Sequence, residues 1–536
     1  MSEKSSIQPS PSTVRVAQLA LVFAAINALE PIHLDDAAFF LFAQHIAQTP
    51  LDPYGFSLIW DGEFMSAMNI LAPPVFLYYW AGLIKLFGST PLVWKLGCFP
   101  IYFLYIASLR TIISRFAPSI LWPAVLLIAF SPIVLPGANM MLELPVQSLF
   151  FAGLACFMLA CERGSLRLLA LSAVSVALCI EAKYTGLIII PTLALYGILN
   201  RKYAYAICAS LSGVALFGAL EFGIHLGSGA SHFLVQSAEP WKSPVVPLTL
   251  GLLGQLGGGG LGLLGFALLA LQVRRRWTVG ILVGWLAVFV SSIFVTPGAG
   301  RAILRILPQI TGFVILAVLL LGIVRLNREG RVRYPAGFPW DEKTLFLSLW
   351  LLGEILFYFL VSPFPAMRRV IGIGTAGALL IARWIETRDR KPDAQLVALA
   401  TAASLLLAGI FVAIDLQWAR SVRESVTWGR AQAGDLSEGQ TIWYHGVWGF
   451  KFYAMKEGMQ AIVVGKSDVA KGDYLLVPSA GIAVPRAALD LEQWEEVARY
   501  RGGVIANLKM SGYYYGVVPL SVGRRETVRV DLYRKL

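Results

Sequence analysis

The stretch VRVAQLALVFAAINALEPIHLDDAAFFLFAQHIAQ, residues 14–48, decides how the rest of the chain is read. It begins as an apolar run, Val14 to Ile32, about long enough to cross the ~30 Å hydrocarbon core of a bilayer. It then carries two adjacent carboxylates, Asp35 and Asp36, to the far end of that run. An aromatic stretch with Tyr54, Phe56, Trp60 and Phe64 follows, and then Pro73-Pro74. Carboxylates at a bilayer boundary lose hydration energy and are retained where chemistry or ion binding needs them. A cleaved leader is the plainer reading of such a run. Here the run leads into the acidic pair rather than to a small-residue cleavage site, so a retained first span is expected.

Composition extends this reading to the whole chain. Its 536 residues are 57% hydrophobic and 14% charged, with a mean hydropathy of +0.67. A soluble fold of this length could not bury so much apolar surface, so a polytopic α-helical membrane protein is expected. The net charge of +12 is spread in short basic clusters between apolar runs. That is the pattern of loops obeying the positive-inside rule, and it excludes nucleic acid as a partner. The five cysteines (Cys98, Cys156, Cys161, Cys179, Cys208) lie in or beside apolar runs, in no zinc-like spacing and with no disulfide framework.

Apolar runs recur near 14–32, 92–113, 118–135, 145–162, 167–182, 185–199, 203–222, 248–272, 277–296, 302–324, 344–361, 369–385 and 394–418, which predicts about 13 spans. Basic clusters such as Arg110/Arg115, Arg163/Arg167, Arg201/Lys202 and Arg274-Arg275-Arg276 fall at every second loop and are placed in the cytoplasm with the N-terminus. Counting residues 73–88 as a span would reverse the later charge assignments. That segment is therefore expected to lie along the interface or to re-enter. The division expected is a membrane domain, 1–418, with a first outer loop at 33–91, and an extracytoplasmic α/β domain, 419–536. In the latter, TIWYH, AIVVG, YLLVP, YYGVV and TVRVDLY read as strands, and 450–458 and 486–499 as helices. The Gly-rich run 251–264 lacks the Gly-Lys-Ser/Thr of a phosphate loop and reads as close helix packing.

This topology puts Asp35, Asp36, Glu143, Lys183, Arg301, Arg368 and Arg369 on one face. Asp35 and Asp36 suit a general base and a neighbour that binds a metal or orients an acceptor; the plainer role is a helix N-cap, for which one Asp suffices. Glu143 precedes Pro145 at the start of a span, where a favourable helix-dipole charge is the competing reading. Lys183, in EAKYTG, suits a phosphate, although Glu181 is a nearby partner. Arg368-Arg369 follow SPFPAM at a span start, where guanidinium groups and helix N–H groups bind phosphate oxygens, against headgroup anchoring as the alternative. Arg301 shares a helix face with Arg305 and admits both readings. His33, two residues from Asp35, is the one histidine placed to join a metal, and residues 222–247 are long enough to gate the site.

The segments HLDDAAFFLFAQHIAQ (33–48), APPVFLYYWAGLIKLFG (72–88), ELPVQSLFFAGLACFMLA (143–160), EAKYTGLIIIP (181–191) and FPAMRRVIGIGTAGALLIA (364–382) occur in an order that resembles membrane glycosyltransferases of the C superfamily. The likeness is to the family 39 type, which includes protein O-mannosyltransferases and lipid A aminoarabinose transferases. WYHGVWGFKFYAMKEGM (443–459) is similar to the outer domain of bacterial relatives. The resemblance implies a GT-C type fold and an inverting glycosyltransferase of the inner (plasma) membrane. Such an enzyme moves a sugar from a polyprenyl-phosphate carrier to a lipid, glycan or protein acceptor on the outer face. It further implies that Asp35 matches the catalytic Asp of the first loop, and that Lys183 and Arg368 or Arg369 face the carrier phosphate. Asp36 stands where relatives have Glu, and Glu143 where they have Asp. The tyrosine after the late arginine is absent, and Ala72 replaces a basic residue before Pro73. A divalent metal at Asp36 and Glu143 is the one cofactor expected. The rival reading is a transporter or lipid flippase that uses the acidic pair for ion coupling; it would more often place charges mid-span within inverted repeats.

Overall fold

The computed structural model describes residues 11–60, 62–238, 243–294, 297–333, 341–389, 392–434, 437, 439–478, 489–502, 508–522 and 528–536. Helix α1 (Pro11–Leu29) turns through residues 30–35 into α2 (Asp36–Gln48). A hairpin of β1 (Ser57–Trp60) and β2 (Glu63–Ser66) leads to α3 (Pro74–Phe87), α4 (Pro91–Gly97) and α5 (Phe99–Phe116). There follow α6 (Leu121–Ala129), α7 (Glu143–Arg163), α8 (Leu166–Ala182), α9 (Ile189–Leu199), α10 (Tyr203–Ser228) and α11 (His232–Ala238). The helical region closes with α12 (Val245–Gly259), α13 (Leu261–Ala270), α14 (Arg275–Phe294), α15 (Pro297–Arg333), α16 (Glu342–Val361), α17 (Ile371–Glu386) and α18 (Ala394–Ala433).

Among the described residues, seven helical stretches are long and apolar enough to cross a membrane, or eight if α12 and α13, bent by 81°, form one broken span. The expected count of about 13 is not confirmed: α8, α14 and α17 are unbroken helices of 17, 20 and 16 residues on expected runs, whereas two other runs break, which hydropathy does not see. Residues 118–135 form a 3₁₀ turn and the nine-residue α6, then leave the helix. Residues 185–199 divide between a 3₁₀ turn and the eleven-residue α9. Residues 73–88, expected to lie along the interface or re-enter rather than to span, hold α3, whose 14 residues rise only about 21 Å, short of the hydrocarbon thickness. Instead α3 packs against α2, where Phe39 stacks on Trp80 at 6.0 Å.

The Gly-rich run does serve close packing. A Cβ on Gly257 would lie 1.9 Å from Pro308 O of α15, so only glycine lets the two backbones touch there.

Helix α18 runs unbroken past residue 418 to Ala433, so the change of composition after Asp415 falls inside one helix. Beyond it come β3 (Ile442–Tyr444), α19 (Trp448–Lys456), β4 (Gln460–Ala461), β5 (Tyr474–Pro478), β6 (Trp494–Gly502), β7 (Leu508–Lys509), α20 (Ser511–Tyr514), β8 (Ser521–Val522) and β9 (Val528–Lys535). Five strands form one mixed sheet in the order β4-β3-β5-β9-β6. The sheet confirms a C-terminal α/β unit, but two assignments change. The expected helix over 486–499 is strand from Trp494 onward, while 486–488 lie outside the described residues. Its Glu, Ala and Arg favour a helix locally, yet antiparallel pairing with β9 overrides propensity and leaves the charges on an edge strand. The YYGVV segment is not a strand: Tyr514 ends α20, and the chain after it loops back against the helices.

Candidate active site

The turn between α1 and α2 is strained. Leu34 adopts φ 47°, a left-handed conformation that costs a β-carbon residue of the order of 1 kcal/mol, and its side chain is buried. The strain aims the two carboxylates in different directions. Asp35 stands at the N-cap position of α2, but its side chain makes no capping bond. Its Oδ2 lies 3.6 Å from Arg368 Nη1 instead. Asp36, fully buried, accepts from the His33 N–H at 3.4 Å and pairs with Lys95 at 3.8 Å.

Asp35 therefore joins a basic cluster. Glu143, in the first turn of α7, pairs through Oε1 with Lys183, which caps the end of α8. The same oxygen lies 3.4 Å from Arg368 Nη1. Arg368 and Arg369 occupy a 3₁₀ turn just ahead of α17, with guanidinium carbons 5.8 and 5.2 Å from the ring of Phe364. Their Nε atoms are buried and have no hydrogen-bond partner among the described residues. Lys183, Arg368, Arg369 and Glu143 line a cavity of about 70 Å³, together with Gln147, Thr185 and Tyr358. The N-termini of α7 and α17 point their backbone dipoles at this region, which favours an anion.

Burial is the largest influence on the titrating groups here. It raises Asp35 above the ordinary carboxylate range, with Arg368 opposing. It raises Asp36 to about 6, against Lys95. It also lowers Lys183 to about 8, with the Glu143 partner holding it from falling further.

A second buried network lies behind Asp36. Lys95 Nζ reaches Pro31 O at 3.4 Å, and Asn27 bridges Lys95 O and the Tyr102 hydroxyl. His33 Nε2 sits 3.8 Å from Asp415 Oδ1, and Tyr514 donates to Asp415 Oδ2 at 2.6 Å. Burial and the Lys95 charge push His33 down to about 3, so it is neutral at ordinary pH. Lys95, Asp415, Tyr514 and Asn139 did not stand out in the sequence. The usable signal was a lone Lys in PLVWKLG and a lone Asp within the apolar run 394–418, each an intramembrane charge that calls for a partner.

The other expected residues fall elsewhere. Arg301 is exposed in the first turns of α15 and is not among the residues lining the cavity. The candidate gate contains α11, where His232 bonds Ile70 O at 2.9 Å and Gln236 bonds Met68 O at 2.9 Å, tying it to the first loop. Glu239 and Trp241 lie outside the described residues. A divalent metal does not fit the proposed ligands. Asp36 is held by Lys95 and Glu143 by Lys183 and Arg368, and no group of three His, Cys, Asp or Glu converges among the described residues. Lysine and arginine are thus the counter-charges of both carboxylates.

No protein-family profile and no curated protein sequence matches the chain. Solved structures are similar to it in shape. ArnT from Cupriavidus metallidurans in the apo state is 13% identical over 97% of both chains, with a TM-score of 0.45. The Archaeoglobus fulgidus oligosaccharyltransferase complexed with Zn and sulfate is 13% identical over 84% of this chain and 62% of that one, with a TM-score of 0.47. The archaeal oligosaccharyltransferase AglB from Archaeoglobus fulgidus, in complex with an inhibitory peptide and a dolichol-phosphate, is 12% identical over 84% of this chain and 64% of that one, with a TM-score of 0.46.

Proposed function

We propose that this chain is a polyprenyl-phosphate-dependent glycosyltransferase of the membrane, working on the outer face with its C-terminal domain on that side. The observation that supports it is the convergence of one carboxylate, Asp35, with Lys183, Arg368 and Arg369 at the ends of apolar helices. Transfer from a lipid phosphate needs a base for the acceptor hydroxyl and fixed positive charge where the leaving phosphate gains charge. It needs no general acid, because a phosphate already leaves well.

In this reading Asp35 takes the proton of the acceptor hydroxyl as its oxygen bonds to the anomeric carbon. The bond from that carbon to the phosphate oxygen breaks, and polyprenyl phosphate leaves with the electron pair, held by Arg368, Arg369 and Lys183. Attack opposite the leaving group inverts the anomeric centre. The raised affinity of Asp35 for a proton makes it a stronger base than a surface carboxylate. Glu143 holds Lys183 and Arg368 in place, and Asp36, fixed by Lys95, orients the turn that carries Asp35. No step passes through a metal. Many membrane spans suit a donor whose long tail stays in the bilayer, and the acceptor is a lipid, glycan or protein.

The test compares envelope glycans and polyprenyl lipids by mass spectrometry in wild type, a deletion strain and Asp35→Asn. Both mutants should lack one sugar and accumulate its carrier lipid. Unchanged lipids in the deletion, or a wild-type pattern in Asp35→Asn, would overturn the assignment.

A further inference from the structure

One part of the C-terminal domain leaves its sheet and enters the helical region. It is SGYYYGVVP, residues 511–519, which spans α20 and the loop after it. Gln255 of α12 donates through Nε2 to Gly512 O at 2.7 Å and to Gly516 O at 2.5 Å. The Tyr513 hydroxyl donates to Ile133 O at 3.1 Å. The Tyr514 hydroxyl donates to Asp415 and accepts from Asn139 Nδ2 at 3.4 Å. Both rings are buried. A Cβ on Gly254 would lie 2.3 Å from Val517 O, so the glycine run of α12 also makes room for this insertion.

The contacts end on the three segments that carry the site. The Gly516 N–H donates to Pro365 O at 2.8 Å, and the Tyr515 ring lies 4.9 Å from Phe364, the ring beneath Arg368 and Arg369. Asn139, bonded to Tyr514, accepts from the Met141 N–H at 3.0 Å, two residues before Glu143. The His33 ring meets Tyr514 edge-on at 6.1 Å, two residues before Asp35.

We propose that residues 513–516 are a positioning element, through which the C-terminal domain sets the Arg368-Arg369 loop against Glu143 and Asp35. This rests on the carrier-phosphate reading of the cavity. The domain then governs how the site holds an anion, separately from any part it plays with the acceptor.

The test measures binding of undecaprenyl phosphate to the purified full chain in detergent, well below its melting temperature. Tyr514→Phe removes the hydroxyl and keeps the ring; Tyr515→Ala removes the ring on Phe364. Arg368→Ala reports on the cavity itself. Tyr500→Phe deletes a hydroxyl elsewhere in the same domain, 3.5 Å from Glu424 Oε2. Both 514 and 515 variants should bind about tenfold more weakly, and Tyr500→Phe as wild type. Should Arg368→Ala bind as wild type does, the phosphate reading of the cavity fails and the proposal with it. Should Arg368→Ala lose binding while the 514 and 515 variants match Tyr500→Phe, the positioning role is refuted and the cavity reading stands. If Tyr514→Phe does not fold, Tyr515→Ala decides alone, since that side chain is 59% exposed.

Discussion

Glu143→Gln probes the centre of the site, because one oxygen of this carboxylate serves both Lys183 and Arg368. The three side chains are 5%, 10% and 13% exposed, so solvent screens them little. Removing one partner of a buried ion pair costs about 3–5 kcal/mol, because the stranded charge stays desolvated. Glutamine keeps the shape and one acceptor oxygen, which points to the lower end, about 3 kcal/mol. The assay is thermal melting of the purified protein with and without undecaprenyl phosphate. A ligand at about 100 times its Kd stabilises by about 2.7 kcal/mol. In the variant the phosphate also restores the missing negative charge, so the same ligand should raise the melting temperature more than in wild type. The expected pattern is a large gap without ligand that narrows with it. A variant that melts like wild type, or a gap that the ligand leaves unchanged, would refute the idea that Glu143 holds these cations in readiness for an anion.

Other expectations concern the acidic pair and its surroundings. Asp35→Asn should fold normally yet lose roughly 10²–10⁴ of turnover in a transfer assay with purified carrier lipid, the usual worth of a general base. Because Asp35 binds its proton more tightly than an ordinary carboxylate, wild-type activity should fall with decreasing pH above the usual carboxylate range. A limb at ordinary carboxylate pH in the rate profile would contradict this. Asp36 is raised from 3.8 to about 6 in the fold, so the folded state prefers it protonated. Its contribution to stability is full below about pH 4 and is lost as pH rises through 6. Asp36→Asn mimics the protonated carboxyl that the fold prefers, so it should flatten the pH dependence of melting through this window without a large loss of stability at neutral pH; a variant whose melting still falls as pH rises through 6 would contradict this. His33→Gln should leave the acid limb of activity where it is, since His33 stays neutral well below that range; a shifted limb would show that the imidazole titrates with the site.

What the sequence disclosed follows from the range over which each signal acts. Hydropathy is local, so the long apolar helices α1, α7, α10, α16 and α18 were legible, as was a polar α/β unit after them. Helix breaks are not local in that sense: residues 118–135 read as a span, yet the chain leaves α6 at Ala129 to form the wall on which Tyr513 hydrogen-bonds Ile133. The cluster of Asp35, Glu143, Lys183 and Arg368 was partly legible because each charge sits at the end of an apolar run, where burial without purpose is costly. Lys95 and Asp415 were not, since a single charge inside a hydrophobic stretch does not say which distant group pairs with it. Strand β6 was hidden for the opposite reason: its residues favour a helix, and only β9, supplied by the last residues of the chain, makes it a strand.

The acidic pair itself shows how adjacency in sequence misleads. Read as a string, Asp35-Asp36 suggests two carboxylates acting together, as a base with its helper or as two ligands of one ion. At the start of a helix, successive side chains diverge by about 100°. The two carboxylates must then face different neighbours, and here the left-handed Leu34 sets which ones. Asp35 meets Arg368 in the partly open cluster, and Asp36 meets Lys95 in the closed network that continues through His33 to Asp415 and Tyr514. A shared proton or a shared metal would need both in one pocket. Their separation instead suits a division of labour in which one carboxylate is left to react and the other ties the turn to the C-terminal domain. On that division, the loss of Asp35 should appear in turnover and the loss of Asp36 chiefly in the pH dependence of melting, a split that kinetics and melting measured on the same two variants can tell apart.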